Sequence, residues 1–93
     1  MAIYLISYDL IKTKDYKKLY DAIMSYQRCA RITDSLWAIV SRKKAVEIRD
    51  FLKKHIDNDD KLFVCKINGE AAWFNLNKDV SGWLKKSIVK KNL

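Results

Sequence analysis

Apolar and polar positions alternate clearly in the first ten residues. In AIYLISYD, residues 2 to 9, Tyr4, Ile6 and Tyr8 share one face and Ile3, Leu5 and Ser7 the other. A two-residue period with apolar side chains on both faces predicts a central strand, or one covered by helices and by a partner. The polar stretch LIKTK follows as a loop. A helix is then expected from about Asp15 to Tyr26, with Thr13 or Asp15 as its N-cap and Tyr16, Leu19, Tyr20 and Ile23 as its buried stripe.

Residues 29 to 41, CARITDSLWAIVS, return to strand-like alternation. Thirteen residues are long for one strand, so two strands are expected, joined by a turn near Asp34 and Ser35. A second helix is expected over Lys43 to Ile56, with Ser41 as N-cap and Ala45, Ile48, Leu52 and Ile56 on its apolar side. DNDD, residues 57 to 60, breaks the pattern. Lys61 to Ile67 is a fourth strand, rich in β-branched and aromatic residues. Asn68-Gly69 signals a turn, AAWF at 71 to 74 a short fifth strand, and the spacing of Val80, Trp83, Leu84 and Ile88 a helical tail. The order βαββαβ predicts an α+β, ferredoxin-like sandwich, with two helices on one face of an antiparallel sheet. The bare second face predicts a homodimer. The expected organisation is a domain over 1–78 and a basic tail over 79–93.

Composition narrows the function. The chain has 93 residues, 49% of them hydrophobic, so one small domain with a compact core is expected. No apolar run approaches the roughly 20 residues of a membrane span, and MAIYLISYD has no basic n-region. A cytoplasmic protein without a membrane partner is the expectation. The only cysteines, Cys29 and Cys65, form no C-x-x-C motif, and there is a single histidine, so the thiols are expected to be reduced and a zinc site is not. The net charge of +8 favours a polyanionic partner, nucleic acid first. Its carriers are expected to be Lys12, Lys14, Arg28, Arg31 and the run Arg42-Lys43-Lys44, which opposes the dipole at the start of the second helix.

Three stretches together resemble a known family: the first strand ending in Tyr8-Asp9, Asp34-Ser35-Leu36-Trp37, and Ile56-Asp57-Asn58-Asp59-Asp60-Lys61-Leu62-Phe63-Val64. Their order and spacing, over roughly residues 1 to 74, look like the superfamily of the second CRISPR-associated protein and virulence-associated protein D. Within it, stand-alone CRISPR-associated-like proteins with a Trp-containing segment, here Ala71-Ala72-Trp73, look most alike. The resemblance implies a ferredoxin-like homodimer. It implies either metal-dependent endoribonuclease or endodeoxyribonuclease activity, or a non-catalytic scaffold on nucleic acid. It also implies that Asp9, at the end of the first strand, is a metal ligand. The C-terminal part, with Trp73, Trp83, Lys85-Lys86 and Lys90-Lys91, departs from the CRISPR-linked pattern.

The expected catalytic group is Asp9, Tyr8 and Ser35. A two-fold axis near the ends of the first strands would pair two Asp9 carboxylates around Mg2+ or Mn2+, which would polarise a phosphate and acidify a bound water. Tyr8 can stack on a base or bond a phosphate, and Ser35 can orient a phosphate or water. Each also has a structural alternative: Asp9 as a loop cap, Tyr8 in the core, Ser35 satisfied by backbone. Asp57, Asp59 and Asp60 lack the Gly and Glu of a calcium loop and are expected to form a helix-ending turn. His55, near a helix C-terminus, is expected to be structural. Two rivals to the nuclease stand: a basic scaffold without chemistry, and a toxin–antitoxin-type interaction protein.

Overall fold

The computed structural model describes residues 1–10 and 16–89, the last of these by its backbone alone. The elements run β1 (Ala2–Asp9), α1 (Lys17–Met24), β2 (Arg28–Thr33), β3 (Leu36–Ser41), α2 (Ala45–Lys53), β4 (Lys61–Ile67) and α3 (Lys78–Leu84), which continues into a π-helical segment, Lys85–Val89. The four strands form one antiparallel sheet in the order β2-β3-β1-β4. This is a small α+β fold with the connectivity of a split βαβ pair, compatible with a ferredoxin-like arrangement.

Alternation along the strands decides what lies on each face. Tyr4, Ile6 and Tyr8 of β1 and Trp37 and Ile39 of β3 meet Leu19, Ala22 and Ile23 of α1 and Ile48 and Leu52 of α2 in one apolar core. Val64 and Leu62 of β4 and Cys29 of β2 pack against it. Six of these side chains expose less than a fiftieth of their surface, among them Ile6, Ile39 and Leu52. Each such burial is worth about 1.5–3 kcal/mol, so this layer holds the fold together.

The opposite face is covered over one half. Ala38 and Val40 are buried there although they point away from the helical core. The helix α3 lies against β2, Leu84 and Ile88 are buried, and Arg28 reaches Ser87 at 3.4 Å. The tail is thus a helical lid on the β2–β3 half of the sheet. Over the β1–β4 half Phe63 remains 63% exposed.

The structure corrects several expectations. No fifth strand forms at 71–74: the chain turns at Gly69 (φ 52°) and at Asn75 (φ 65°), and the Trp73 indole N–H donates to Ser81 Oγ at 3.0 Å. Two left-handed residues and an anchor on α3 hold this segment off the sheet. Helix α1 is shorter than expected at both ends, and the N-cap candidates Thr13 and Asp15 lie outside the described residues. Ser41 is not the N-cap of α2. That position is Lys44, whose N–H donates to Glu47 Oε1 at 2.9 Å, while Ser41 Oγ accepts from the Lys43 N–H in the preceding turn. Glu47 in the first turn therefore answers both an orphan donor and the dipole that Arg42-Lys43-Lys44 oppose.

Candidate functional site

Register places the end of β1. Because β1 is antiparallel to both neighbours, Ser7 pairs with Leu36 and Asp9 with Lys61. Asp9 therefore emerges between the β2–β3 turn and the start of β4. Helix α1 adds Tyr16 and Tyr20 to the same place. Together these elements enclose an open cleft of about 500 Å³, lined by Tyr8, Asp9, Tyr16, Tyr20, Arg31, Asp34 and Ser35.

A hydrogen-bond network fixes the cleft wall. Tyr8 is only 7% exposed. The Trp37 indole N–H donates to its hydroxyl at 3.1 Å, and that hydroxyl donates to the Asp34 carbonyl at 2.9 Å. The Tyr8 backbone N–H also donates to the Ser35 carbonyl at 3.3 Å. Burial pushes the Tyr8 phenol up to about 12, with the Trp37 hydrogen bond working in the opposite sense. The phenol therefore stays protonated at neutral pH and remains a donor. Its contacts pin the turn that carries Asp34 and Ser35.

Arg31 lies across the aromatic wall. One terminal nitrogen donates both to Tyr20 Oη and to the Asp34 carbonyl, each at 2.9 Å. Its guanidinium carbon sits 4.5 Å from the Tyr20 ring centre and 5.6 Å from that of Trp37. Such a geometry holds a cation in place while leaving it exposed. The other guanidinium nitrogens make no hydrogen bond among the described residues, so they are available to a phosphate.

Of the residues expected from sequence, Asp9, Tyr8, Ser35 and Arg31 come together here. Asp9 and Ser35 are exposed. Arg28 pairs with Val40, and Arg42, Lys43 and Lys44 follow the strand end that pairs with Ala2, so these four lie at the far end of the sheet. At 3.3 Å per residue that end is about 20 Å from Asp9. Lys12 and Lys14 lie outside the described residues. His55 stands apart, its ring 5.3 Å from Phe51.

Sequence reasoning assigns Tyr16 and Tyr20 to the buried stripe of α1 and Asp34 to a turn. The structure puts all three in the cleft. The available signal is the pair of tyrosines one helical turn apart, shortly after the strand that ends in Asp9.

The donor set suits a hard cation. Two acidic residues, Asp9 and Asp34, are among those lining an open cleft with room for water, and Mg2+ commonly takes one or two carboxylates with waters and substrate phosphate. A separate acidic group, Asp57, Asp59 and Asp60, offers oxygens within 4.8 Å of one another. It forms the turn before β4, where the Asp57 N–H donates to Asp60 Oδ2 at 2.8 Å and the Asp60 N–H to the Asp57 carbonyl at 3.1 Å. Among the described residues no helix is long and apolar enough to cross a membrane. No protein-family model matches the chain.

Proposed function

We propose that this chain is a nucleic-acid-binding protein that cleaves phosphodiester bonds with a metal ion held at Asp9. One observation carries the proposal: two acidic residues, Asp9 and Asp34, line the same open cleft as a fixed and exposed guanidinium, Arg31. Asp9, with Asp34 lining the same cleft, would hold Mg2+ or Mn2+; the bound ion would supply an acidified water and charge neutralisation at the phosphate. Arg31 would bind the scissile or adjacent phosphate. Tyr8 keeps Asp34 and Ser35 in register through its bonds to their carbonyls, and Ser35 can orient a phosphate oxygen.

The proposed assembly is a ferredoxin-like homodimer. By alternation Asp9 belongs to the sheet face that carries Phe63, the half that α3 leaves open. A second copy seated there would lie next to Asp9 and could add its own carboxylate. A reducing, cytoplasmic setting fits two free cysteines, Cys29 on the core face and Cys65 on the other.

The test is a cleavage assay with Mg2+ or Mn2+ on mixed RNA and DNA. The wild type should cleave only with metal. Asp9→Asn should lose at least about 100-fold, the upper end of what even an outer-shell partner of a metal costs. A second possibility, a basic scaffold without chemistry, is favoured by the gathering of Arg28, Arg42, Lys43 and Lys44 away from the cleft. No cleavage by either protein, with equal gel-shift binding, would select the scaffold.

A further inference from the structure

We propose that Tyr16 and Arg31 form a base-stacking subsite beside Asp9, so that the strand taken there is single-stranded. The inference rests on the nucleic-acid function proposed above and deepens it.

Three rings run from the core to solvent. Trp37 is buried, and Tyr20 follows with its ring centre 5.8 Å away at 38°. Tyr16 comes next, 6.0 Å from Tyr20 at 36°, and is 39% exposed. The ladder ends at solvent inside the cleft that holds Asp9. A further flat ring laid on Tyr16 would continue the run, and a nucleobase is the flat ring that a polyanion brings.

Arg31 supplies the second element. Its guanidinium plane is held by Tyr20 Oη, by the Asp34 carbonyl and by the Tyr20 ring. A guanidinium fixed in this way can stack on a base or bridge to the phosphate beside it without first being ordered. Aromatic and cationic groups interleaved in an open groove are the physical requirement for holding an unpaired strand, because every base has a π-face and every linkage a charge. A duplex cannot use the subsite, since its bases already stack on each other and expose only edges.

The test separates stacking from charge. Binding is measured by anisotropy, with chelator present to prevent cleavage, for three labelled probes: an oligothymidine, an abasic strand of the same length, and a matched duplex. The wild type is expected to bind the oligothymidine most tightly. Tyr16→Ala should weaken that binding by about 5- to 100-fold, the range set by one lost base stack, and leave the abasic probe unchanged. Tyr16→Trp should restore it. Equal affinity of the wild type for oligothymidine and abasic strand, or an unaltered affinity of Tyr16→Ala, would overturn the subsite and leave charge-driven binding standing. Failure of the wild type to bind any probe would overturn the nucleic-acid function and the subsite together.

Discussion

Tyr8 shows how one residue can be half legible. Its place in the alternating run puts it on one face of β1 with Tyr4 and Ile6, and the structure makes that the face the helices bury. The partners of its hydroxyl are Trp37 and Asp34, 29 and 26 positions away, which no local pattern could reveal. Burial raises its phenol to about 12, above the ordinary value of 10 in the unfolded chain. The folded state therefore holds this proton more tightly. The resulting stabilisation is complete below pH 10 and is lost as pH rises from 10 towards 12. The Tyr26 phenol and Cys29 thiol are pushed the same way by burial and add to the slope. Urea denaturation between about pH 10 and 12 should show stability falling by up to about 1.4 kcal/mol per pH unit from Tyr8 alone, with Tyr26 and Cys29 steepening the fall. Tyr8→Phe should flatten part of that fall. It should also cost about 1–3 kcal/mol at neutral pH, because the buried Trp37 N–H loses its acceptor.

At the scale of elements, strands are more legible than helix ends. β1 and β4 fall at the expected bounds, and the β2–β3 turn comes at Asp34-Ser35. Period-two alternation and β-branched residues mark these strands, whereas helix ends depend on which donors find partners. Serine is a good cap, which favours a start of α2 after Ser41, but the bond that wins is the one Glu47 accepts from Lys44. For α3 the cap is Asn77, whose side-chain oxygen accepts from the Val80 N–H at 2.9 Å. In a seven-residue helix one cap is a large share of the local stability. Asn77→Ala should cost about 0.5–2 kcal/mol. Because α3 packs against β2 on the sheet face where Ala38 and Val40 are buried, that loss should appear in the global thermal transition and not only as fraying of the tail.

For the whole molecule the decisive feature is the unequal covering of the sheet. The helices α1 and α2 close one face, α3 and its π-helical extension close half of the other, and the β1–β4 half keeps Phe63 at the surface. If a second copy covers that half, Phe63→Asp should convert a dimer into a folded monomer in light scattering, with far-UV circular dichroism unchanged. A Phe63→Asp variant that remains dimeric would place the pairing elsewhere, and a wild type that is monomeric at high concentration would overturn the proposed homodimer. Phe74, 92% exposed on the loop before α3, is a second apolar handle at the same scale. The positive charge is likewise divided, with Arg31 at the cleft and Arg28, Arg42, Lys43 and Lys44 at the other end of the sheet.

The order βαββαβ and the residue type at the end of β1 were determined by the sequence alone. They follow from periodicity, a local property carried by neighbours two to four positions apart. The sequence also marked Asp9, Tyr8, Ser35 and Arg31 as chemical candidates, and these four share one cleft. Only the tertiary structure decided that Tyr16, Tyr20 and Asp34 join them, that Arg28 and the Arg42-Lys43-Lys44 run do not, and that residues 71–74 lie off the sheet. Each of these depends on strand register, on a positive φ, or on contacts between residues far apart in the chain. Register fixes which ends of the strands meet, and that long-range choice, not any local motif, builds the cleft.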